Sequence, residues 1–371
     1  MKIAILQGPF LPIPPVLGGA VEKIWFLIGK NFALKGNEVF HISRKWDDFP
    51  ISEFVDGVHY KRIRSYSQTK YKKVNILLTL LYTIRAIFVL PKDIDIIVSH
   101  TYWAPIILPL LNKAKLYVSI ERYPKGQLKY YRSAARLRAP SDAIAKGIKS
   151  EMPNQFHHLV KVIPNPLPFE PSQNVSLQNK KPIILYSGRI HPEKGLDLLI
   201  NACFSLPDEW SLMIVGPWKT SESGGGDKYF NYLKDISKNI PIQFTGPINE
   251  LNLLNQIYQD ASIFVYPSIA EKGEAFGLAP LEAMAWGCVP IVSDLDCFKD
   301  FIFHQVNGFI FNHRDKDAIS ELRNDILLLI NDSTLRENLA KYALNVRLTH
   351  SPNHIADLFL ADFEYLMKKY E

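Results

Sequence analysis

The stretch SIFVYPSIAEKGEAFGLAPLEAMAWGCVPIVSD, residues 262–294, contains a pattern of strand, helix and strand. Its two apolar runs, 262–268 and 289–294, have the length of buried strands. Between them, Pro280 suits the first turn of a helix over 279–286, and the glycine that follows suits the end of that helix. A helix that joins two such strands predicts a parallel βαβ unit.

The same alternation of strands and helices extends over the rest of the chain. From this unit outward the predicted strands are 2–6, 38–43, 93–100, 115–120, 182–188, 210–216 and 242–246, and the predicted helices are 20–36, 194–205, 249–259 and 353–370. A segment rich in Pro, Asn, Ser and Gln, 164–182, is typical of an interdomain linker. We therefore expect an α/β protein with two doubly wound, Rossmann-like domains that face a central cleft. The expected domains are 1–168 and 169–350, with a C-terminal helix over 351–371 that packs back on the first domain.

Length and composition agree with two packed domains. A chain of 371 residues is too long for one ordinary core, and its 47% of hydrophobic residues suffices for packed interiors. The three cysteines, Cys203, Cys288 and Cys297, are odd in number, so we expect reduced, buried thiols of a cytoplasmic protein. The N-terminus runs directly into a strand pattern, which predicts no secretory signal.

The longest apolar run, residues 74–91, contains Arg85 and ends at a proline. A helix that spans a membrane needs about 20 apolar residues. We interpret this run as a buried helix with at most one surface stripe.

The net charge of +6 is unevenly distributed, because residues 1–168 carry +14 and the remainder carries −8. Basic residues interleaved with tyrosines concentrate in 61–73 and 121–138. Such a face suits lipid headgroups, acidic glycans or nucleic acid, and a solvated charged surface is the simpler interpretation. We favour an anionic membrane over nucleic acid, because the long apolar run follows the first cluster. We therefore expect a cytoplasmic protein that associates peripherally with the inner face of the plasma membrane.

A first candidate site is SGRIHPEKG, residues 187–195, which follows a predicted strand and precedes a predicted helix. Gly188 allows a sharp turn, which places Arg189 and Lys194 at the carboxyl end of the strand. Two cations beside free helix amides suit a diphosphate. The spacing is not that of a Walker loop, and no G-x-G-x-x-G follows the first strand, which weakens a dinucleotide interpretation. Ordinary surface charges are the competing interpretation.

A second candidate site contains two glutamates eight positions apart. Glu274 lies in the loop after a predicted strand, and Glu282 lies in the predicted first turn of the next helix. We expect the amides of residues 276–281 to be the unpaired donors of that helix end, where they can hold a phosphate or a carbohydrate oxygen. Glu282 favours the helix dipole there, and a capping acid is its simpler interpretation. A carboxylate beside a phosphate needs other donors, which the hydroxyls of a sugar supply.

Three segments together resemble the retaining GT-B glycosyltransferases of family 4: ILYSGRIHPEKGLDLLI, FTGPINELNLLNQIYQDASIFVYPS and EAFGLAPLEAMAWGCVPIVSD. The signature of that family is a glutamate, seven residues and a second glutamate, which Glu274 and Glu282 match. The resemblance covers nearly the whole chain and is strongest over 182–312. It implies a GT-B fold, with an N-terminal domain that binds the acceptor and a C-terminal domain that binds the nucleotide-sugar.

The resemblance also implies roles for individual residues. Arg189 and Lys194 would neutralise the donor diphosphate as it departs. Glu282 would bind the ribose hydroxyls, and Glu274 would bind hydroxyls of the donor sugar. The other residues that the resemblance assigns to the donor are Gly19, Ile248, Phe276, Gly277 and Leu278, and it places His100 near the reacting sugar. A purely structural histidine at a strand end is the competing interpretation of His100.

Two positions depart from the family pattern. The residue after the first glutamate is usually glycine, and here it is Ala275, which suits the position unless a positive φ is required. In the N-terminal Gly-Gly loop, Val21 separates Ala20 from Glu22, so we assign no role to Glu22.

The implied reaction transfers a hexose from a nucleotide-sugar with retention, by front-face displacement in which the departing phosphate takes the acceptor proton. We expect a UDP-hexose as donor, with UDP-glucose favoured, and a lipid-linked or polysaccharide acceptor of the cell envelope. Neither candidate site contains an Asp-x-Asp pattern of the type that holds a divalent ion, so we expect no metal and no cofactor. The alternatives are a nucleotide-sugar epimerase of the same fold, and a non-enzymatic module that binds membranes or acidic polymers.

Overall fold

The computed structural model describes residues 1–171, 174–248 and 250–368. These residues form two compact units, one of residues 1–170 with the chain from His350 onward, and one of Pro171–Thr349. The bounds of the units differ by one or two residues from the expected domain bounds. The residues that belong to predicted elements but lie outside the described ranges are Ser172 and Gln173 of the linker, Asn249 of a helix, and the last three residues of the C-terminal helix.

The first unit is built on an eight-stranded sheet. In chain order its elements are β1 (Lys2–Leu6), α1 (Ala20–Leu34), β2 (Glu38–Arg44), β3 (Ser52–Val55), β4 (Val58–Ile63), α2 (Lys72–Val89), β5 (Ile96–Ser99), α3 (Ala104–Leu111), β6 (Lys115–Ser119), β7 (Arg136–Ala139), α4 (Asp142–Glu151) and β8 (Val160–Val162). The strand order is β3-β4-β2-β1-β5-β6-β7-β8. β3 pairs with β4 in antiparallel orientation, and the inner pairs are parallel. β1 and β5 are apolar on both faces and almost fully buried, as in a parallel sheet covered on both sides.

The second unit is built on a six-stranded parallel sheet. Its elements are β9 (Lys181–Ser187), α5 (Leu196–Ala202), β10 (Ser211–Val215), α6 (Asp227–Ile236), β11 (Ile242–Gly246), α7 (Leu251–Asp260), β12 (Ala261–Tyr266), α8 (Leu278–Ala285), β13 (Val289–Ser293), β14 (Phe309–Phe311), α9 (Ala318–Asn331), α10 (Ser333–Ala343) and α11 (Val346–Thr349). The strand order is β11-β10-β9-β12-β13-β14. Counted within the unit this is 3-2-1-4-5-6, the order of a Rossmann fold, and it reverses between β9 and β12.

The predicted class of two Rossmann-like α/β domains is confirmed. The predicted strands 2–6 and 242–246 match β1 and β11 to the residue. The predicted strand 93–100 and the predicted helix 194–205 are longer than the observed β5 and α5, which begin at Ile96 and Leu196. The pattern missed β3, β4, β7, β8 and β14, which are short, partly polar or at a sheet edge.

Part of the expected basic face is interior. Arg62 is buried and ion-paired with Glu53. Arg138 is fully buried, and its guanidinium lies 2.8 Å from the carboxylate of Glu121. Arg136 of β7 is also buried. The prediction of a basic face is wrong at these three positions. Each arginine is paired with a carboxylate, which allows its charge to be buried in the interior.

The run 74–91 forms α2, and the prediction that this helix is buried is wrong. Only Thr79, Tyr82, Thr83 and Ala86 of α2 are buried, while much of its apolar surface is exposed. The surface stripe that the interpretation allowed is present, and it is apolar. Within the part of the chain that the structure describes, no helix is long and apolar enough to cross a bilayer.

The chain returns to the first unit at its end, in α12 (Pro352–Lys368). Phe359 and Phe363 of α12 contact Phe32 of α1 and Tyr117 of β6, with ring centroids 4.9–6.2 Å apart in edge-to-face geometry. Such aromatic pairs stabilise a core beyond the area that they bury. α12 therefore completes the core of the first unit.

A buried polar contact anchors the same helix. The Arg136 guanidinium donates to both carboxylate oxygens of Asp362, at 2.6 and 3.0 Å. The Tyr117 hydroxyl donates to the same carboxylate at 3.0 Å. Burial and the Asp362 carboxylate together raise the pKa of Tyr117 well above its ordinary value, so this hydroxyl remains a donor.

We expect Asp362→Ala to lower the free energy of unfolding by about 3–5 kcal/mol, because it leaves the buried Arg136 without its carboxylate. Urea denaturation followed by circular dichroism measures the change. Asp357→Ala is the matched control on the same helix. Its carboxylate pairs with Lys35 at 2.7 Å but is largely exposed, so we expect a loss below about 1 kcal/mol. Equal losses in the two variants would contradict the anchoring role of Asp362.

Candidate active site

The predicted donor residues lie where the strand order of the second unit reverses. β9 and β12 are neighbours, and the loops that follow them carry the two candidate motifs. Ligands of open parallel sheets bind at this position. The two loops are tied together, because the amide of Ile269 donates to the carbonyl of Glu193 at 2.9 Å. Gly195 allows this approach, since a Cβ there would lie 2.2 Å from the carbonyl oxygen of Pro267.

Lys194 and Glu274 meet between these loops. The Lys194 ammonium donates to Oε1 of Glu274, although the residues are 80 positions apart in sequence. Only 5% of Lys194 and 8% of Glu274 is exposed. A buried ammonium and a buried carboxylate are each unfavourable alone, so each charge holds the other in place. The structure thus brings together two residues from separate candidate sites, which the resemblance assigned to one donor.

Sequence reasoning missed two further contacts of Glu274. The hydroxyls of Tyr266 and Ser268 donate to its Oε1 at 3.2 and 3.0 Å. The Lys194 ammonium also lies 5.3 Å above the ring of Tyr266. The sequence did contain a signal for these contacts. Tyr266 and Ser268 are two positions apart at the end of a predicted strand, so their side chains point to the same face. The Glu274 carboxylate is oriented by three donors.

Arg189 lies at the rim of this site. Its guanidinium donates to the carbonyl of Ser223 at 2.6 Å and to the carboxylate of Glu193 at 2.9 Å. Its side chain remains 41% exposed. The Tyr186 hydroxyl donates to its carbonyl at 2.9 Å, which fixes the backbone. Arg189 is therefore held in position while part of its cationic surface stays open to an anion.

Glu282 does not lie where the sequence predicted. α8 begins at Leu278, so Glu282 is its fifth residue and lies beyond the first turn. The helix dipole acts on charges in the first turn, so the capping-acid interpretation loses its basis. Glu282 is half-buried. The pKa of Tyr258 in α7 is raised well above its ordinary value, mainly by burial and next by the charge of Glu282.

The donors at the start of α8 are fewer than predicted. The amide of Leu281 donates to the carbonyl of Gly277 at 3.4 Å, which closes the first helical bond. Pro280 has no amide hydrogen. By helix geometry the amides of Leu278 and Ala279 have no partner within α8, so the prediction loses its donors at 280 and 281.

Two further predicted donor residues, Ile248 and Phe276, also lie in the second unit. Ile248 follows β11 and is half-buried. The Phe276 ring is buried against Phe301, with centroids 5.2 Å apart, so only its backbone can face a ligand. Their roles toward a donor stay predictions.

Backbone freedom is required at Gly277 rather than at Ala275. Ala275 is not among the described residues that have a positive φ. The backbone at this position is therefore compatible with alanine. Gly277 has a φ of +93° and precedes α8 directly. A Cβ on Gly277 would lie 2.5 Å from Cε1 of Phe298.

We expect Gly277→Ala to lower the free energy of unfolding by roughly 2–5 kcal/mol, the sum of left-handed strain and overpacking against Phe298. Thermal melting measures the change. Gly36→Ala is the matched control, because Gly36 also has a positive φ but a Cβ there meets nothing within 4 Å. We expect that control to lose only about 1–2 kcal/mol. A smaller loss for Gly277→Ala than for Gly36→Ala would refute the steric role of Phe298.

The first unit contains a cleft of its own, of about 450 Å³, at the place where its strand order reverses between β1 and β5. His100 and Gly19 belong to this unit, whereas the other predicted site residues belong to the second. The polar residues that line the cleft include Gln7, Glu22, His100, Glu121, Arg122 and Tyr131. A concave site with several converging polar groups suits a small polar ligand.

His100 forms part of the wall of this cleft. Its ring lies 4.7 Å from that of Trp25 in edge-to-face geometry. Among the described residues neither ring nitrogen has a hydrogen-bond partner. Burial lowers the pKa of His100 to about 4, and the nearby Glu121 carboxylate opposes this shift only in part. The imidazole is therefore neutral at neutral pH, and its position beside a reacting sugar stays a prediction.

Glu121 is a residue of the cleft that sequence reasoning missed. Its Oε1 accepts hydrogen bonds from Ser119 at 2.6 Å, from Arg138 at 2.8 Å and from the Trp25 indole at 3.3 Å. Burial alone would raise the pKa of Glu121, but the Arg138 guanidinium and the other donors bring it below its ordinary value. Ser119 and Glu121 are two positions apart at the end of a predicted strand, and this spacing could have indicated that both side chains face the same side.

Gly19 lies against Glu22, to which we assigned no role. Gly19 is the N-cap of α1 with a φ of +94°, and a Cβ there would lie 2.2 Å from Oε2 of Glu22. Burial raises the pKa of Glu22. The glycine therefore makes room for a carboxylate in the cleft.

We expect His100 to make the stability of the protein depend on pH. Because its pKa in the folded state is lowered, its contribution is complete above pH 6.5 and is lost as the pH falls toward 4. Between pH 7 and pH 5 the wild type should lose about 2 kcal/mol through this group. Urea unfolding at both pH values measures the loss, which His100→Gln should reduce. His158→Gln, at an exposed position, is the control, and a wild-type pH dependence in His100→Gln would sink the assignment.

The cysteines are inert groups of the interior. Cys203, Cys288 and Cys297 are all buried and free. Burial raises the pKa of Cys203 to about 12, which keeps it a thiol. Within the described ranges, no three His, Cys, Asp or Glu side chains lie close enough together to hold a metal ion.

Residues 169–346 match the family model described as Glycosyl transferases group 1. An uncharacterized glycosyltransferase of Methanocaldococcus jannaschii is 29% identical over 197 residues, which are 48% of this chain and 48% of that protein. The chain spans about half or less of the length of the curated relatives that it first matches.

Solved structures match over nearly the whole chain. Sucrose-phosphate synthase from Thermosynechococcus elongatus has a TM-score of 0.80 at 18% identity and covers 100% of both chains. HepE from Anabaena, solved in complex with UDP-glucose, has a TM-score of 0.70 at 17% identity and covers 98% of this chain and 100% of its own. At these identities the likeness establishes the fold, and it agrees with the predicted GT-B type.

Proposed function

We propose that this chain, which belongs to the group 1 glycosyltransferases through residues 169–346, transfers a hexose from a nucleotide-sugar to a lipid-linked or polysaccharide acceptor of the cell envelope. The donor is a UDP-hexose, with UDP-glucose as our first choice. The observation that carries the proposal is the buried pair of Lys194 and Glu274 at the switch point of the second sheet, with Arg189 at its rim.

The cations act on the leaving group. As the bond from the sugar to the phosphate breaks, negative charge builds on the diphosphate. Arg189 and Lys194 are fixed in place before the donor arrives, so they can stabilise that charge with little rearrangement. Two such cations make a divalent ion unnecessary, and we propose a reaction without metal or cofactor.

The carboxylates act on the hydroxyls of the donor. Glu274 is an oriented acceptor that suits hydroxyls of the donor sugar, and the donors already at its Oε1 reduce its repulsion of the phosphate. Glu282, one turn into α8, binds the ribose hydroxyls, while the backbone of Ile248 contacts the base. The helix-start amides of α8 hold the distal phosphate. HepE has the same fold and was solved in complex with UDP-glucose, which supports the choice of this donor class.

The transfer proceeds with retention at the anomeric carbon. The acceptor oxygen forms its bond to that carbon on the face from which the phosphate departs. The departing phosphate oxygen takes the acceptor proton, so no protein nucleophile is required. His100, neutral on the wall of its cleft, positions the reacting sugar by hydrogen bonding.

The acceptor binds in the first unit. Its cleft combines carboxylates that accept hydroxyl hydrogens, such as Glu22 and Glu121, with the guanidinium of Arg122. We further propose that the enzyme works peripherally at the inner face of the plasma membrane, where a lipid-linked acceptor lies. Residues 1–168 carry a net charge of +14, and they remain basic when their buried arginines are left out of the count. This charge favours binding to an anionic surface.

Substitution of the donor-site charges tests the proposal. Glu274→Gln keeps the size of the side chain but leaves the buried Lys194 ammonium without its carboxylate, so circular dichroism must first show that the variant is folded. A folded Glu274→Gln that still binds UDP should have a rate of sugar transfer lowered by about 10²–10³-fold. Arg189→Gln should weaken UDP binding about tenfold, because it removes a charge-assisted contact to the diphosphate. Calorimetric titration with UDP measures affinity, and incorporation of label from UDP-[¹⁴C]glucose into a membrane lipid extract measures transfer.

Controls separate this function from the alternatives. Glu209→Gln, at an exposed position of the second unit, should match the wild type. Thermal shifts with UDP-, GDP- and dTDP-sugars identify the nucleotide, because a bound ligand stabilises the fold by mass action. An epimerase would convert UDP-glucose without releasing UDP, and a pure binding module would bind no nucleotide. Unchanged transfer by Glu274→Gln would refute the proposed site.

A further inference from the structure

α2 carries an apolar stripe on its exposed face. Its members, spaced alternately three and four positions apart, are Val74, Leu77, Leu81, Ile84 and Phe88. They are 38–83% exposed. Residues at this spacing lie on one side of a helix, so they form a continuous stripe about 21 Å long. Isolated exposed apolar residues are ordinary, whereas a continuous patch marks a surface that meets a partner.

The face of α2 that packs on its own unit is the more polar one. Its buried residues are Thr79, Tyr82, Thr83 and Ala86. Two of the hydroxyls are satisfied within the helix, Thr79 by the Asn75 carbonyl at 2.7 Å and Thr83 by the Thr79 carbonyl at 2.8 Å. An ordinary surface helix has the opposite arrangement, with its apolar side inward. The stripe is therefore not an extension of the core.

Positive charge surrounds the start of this helix. Residues 57–92 contain eight Lys and Arg residues and no Asp or Glu. Lys70, Lys72 and Lys73 are exposed, and the first turn of α2 contains no acidic residue. Lysines at a helix start add to the positive end of its dipole, which is unfavourable without an external anion. The cluster thus suits a negatively charged partner.

The basic segment is held beside the stripe. The Thr69 amide donates to Oδ1 of Asn75 at 2.8 Å, and the Asn75 side-chain amide donates to the Thr69 carbonyl at 2.7 Å. The Arg85 guanidinium donates to the Tyr66 hydroxyl at 2.8 Å. These contacts fix the loop to the helix, so little ordering is required when both meet one surface.

We propose that α2 lies in the plane of an anionic phospholipid bilayer. Its stripe inserts at the boundary of headgroups and acyl chains, and Lys70, Lys72 and Lys73 contact lipid phosphates. Charge decides between a bilayer and a second copy of the chain. A second copy of the chain would bring an equally basic segment, without a single acidic residue in 57–92, to the contact, whereas an anionic bilayer complements the lysines.

The inference deepens the proposed function and rests on it for one point only, the membrane location of the acceptor. It names the face of the first unit that meets the lipid. Binding to vesicles requires neither donor nor acceptor. A failure of sugar transfer and a failure of membrane docking are therefore observed separately.

Co-sedimentation of the full chain with vesicles tests the docking surface. The wild type should bind vesicles of 70% phosphatidylcholine and 30% phosphatidylglycerol, and not vesicles of phosphatidylcholine alone. Lys70→Gln/Lys72→Gln/Lys73→Gln should weaken binding about 100-fold and remove most of its salt dependence. Leu77→Ser/Leu81→Ser/Phe88→Ser should abolish binding with its fold preserved, because these side chains are exposed.

Matched controls lie in the second unit. Leu348→Ser changes a residue that is 72% exposed, and Lys316→Gln changes an exposed lysine. Both should bind vesicles like the wild type. Circular dichroism and UDP titration should be unchanged in every variant. Absence of wild-type binding to the phosphatidylglycerol vesicles, undiminished binding by the stripe variant, or a wild-type dimer that the stripe variant dissociates would each overturn the proposal.

Discussion

The second unit depends on one buried contact between an ammonium and a carboxylate. Lys194 follows β9 and Glu274 follows β12, and these strands meet where the order of the sheet reverses. Neither charge is tolerated alone at such burial, so the pair determines how the two loops approach each other. Tyr266, Ser268 and the backbone of Glu193 complete this arrangement. The loop geometry that the proposed chemistry needs is thus built into the fold before a ligand arrives.

Both units use the same architectural solution with different chemistry. In each, a parallel sheet reverses its strand order and leaves polar groups at the carboxyl ends of its central strands. The second unit places cations there, which suits a diphosphate. The first unit places Glu22, His100 and Glu121 there, which suits hydroxyls. The proposed sugar transfer needs both kinds of site, one for a charged leaving group and one for a neutral nucleophile.

The parts of the fold that could be predicted are those with strong local signals. Apolar runs and glycines located β1, β11 and most of the second sheet, and spacing located Lys194 and Glu274. β7 escaped because Arg136 and Arg138 make it look polar, although tertiary ion pairs bury both. α2 was misjudged because an apolar run gives hydrophobicity but not the direction of its faces. Glu282 shifted out of the first turn because helix starts depend on local backbone geometry, here the left-handed Gly277.

The return of α12 to the first unit has a consequence for synthesis on the ribosome. Residues 1–170 emerge first, but the side chains that neutralise Arg136 and cover Phe32 belong to α12, which emerges almost two hundred residues later. Until then the nascent first unit holds an unpaired arginine and an uncovered aromatic surface. The second unit is contiguous and can close its sheet while the first one waits. The unit made first is therefore completed last.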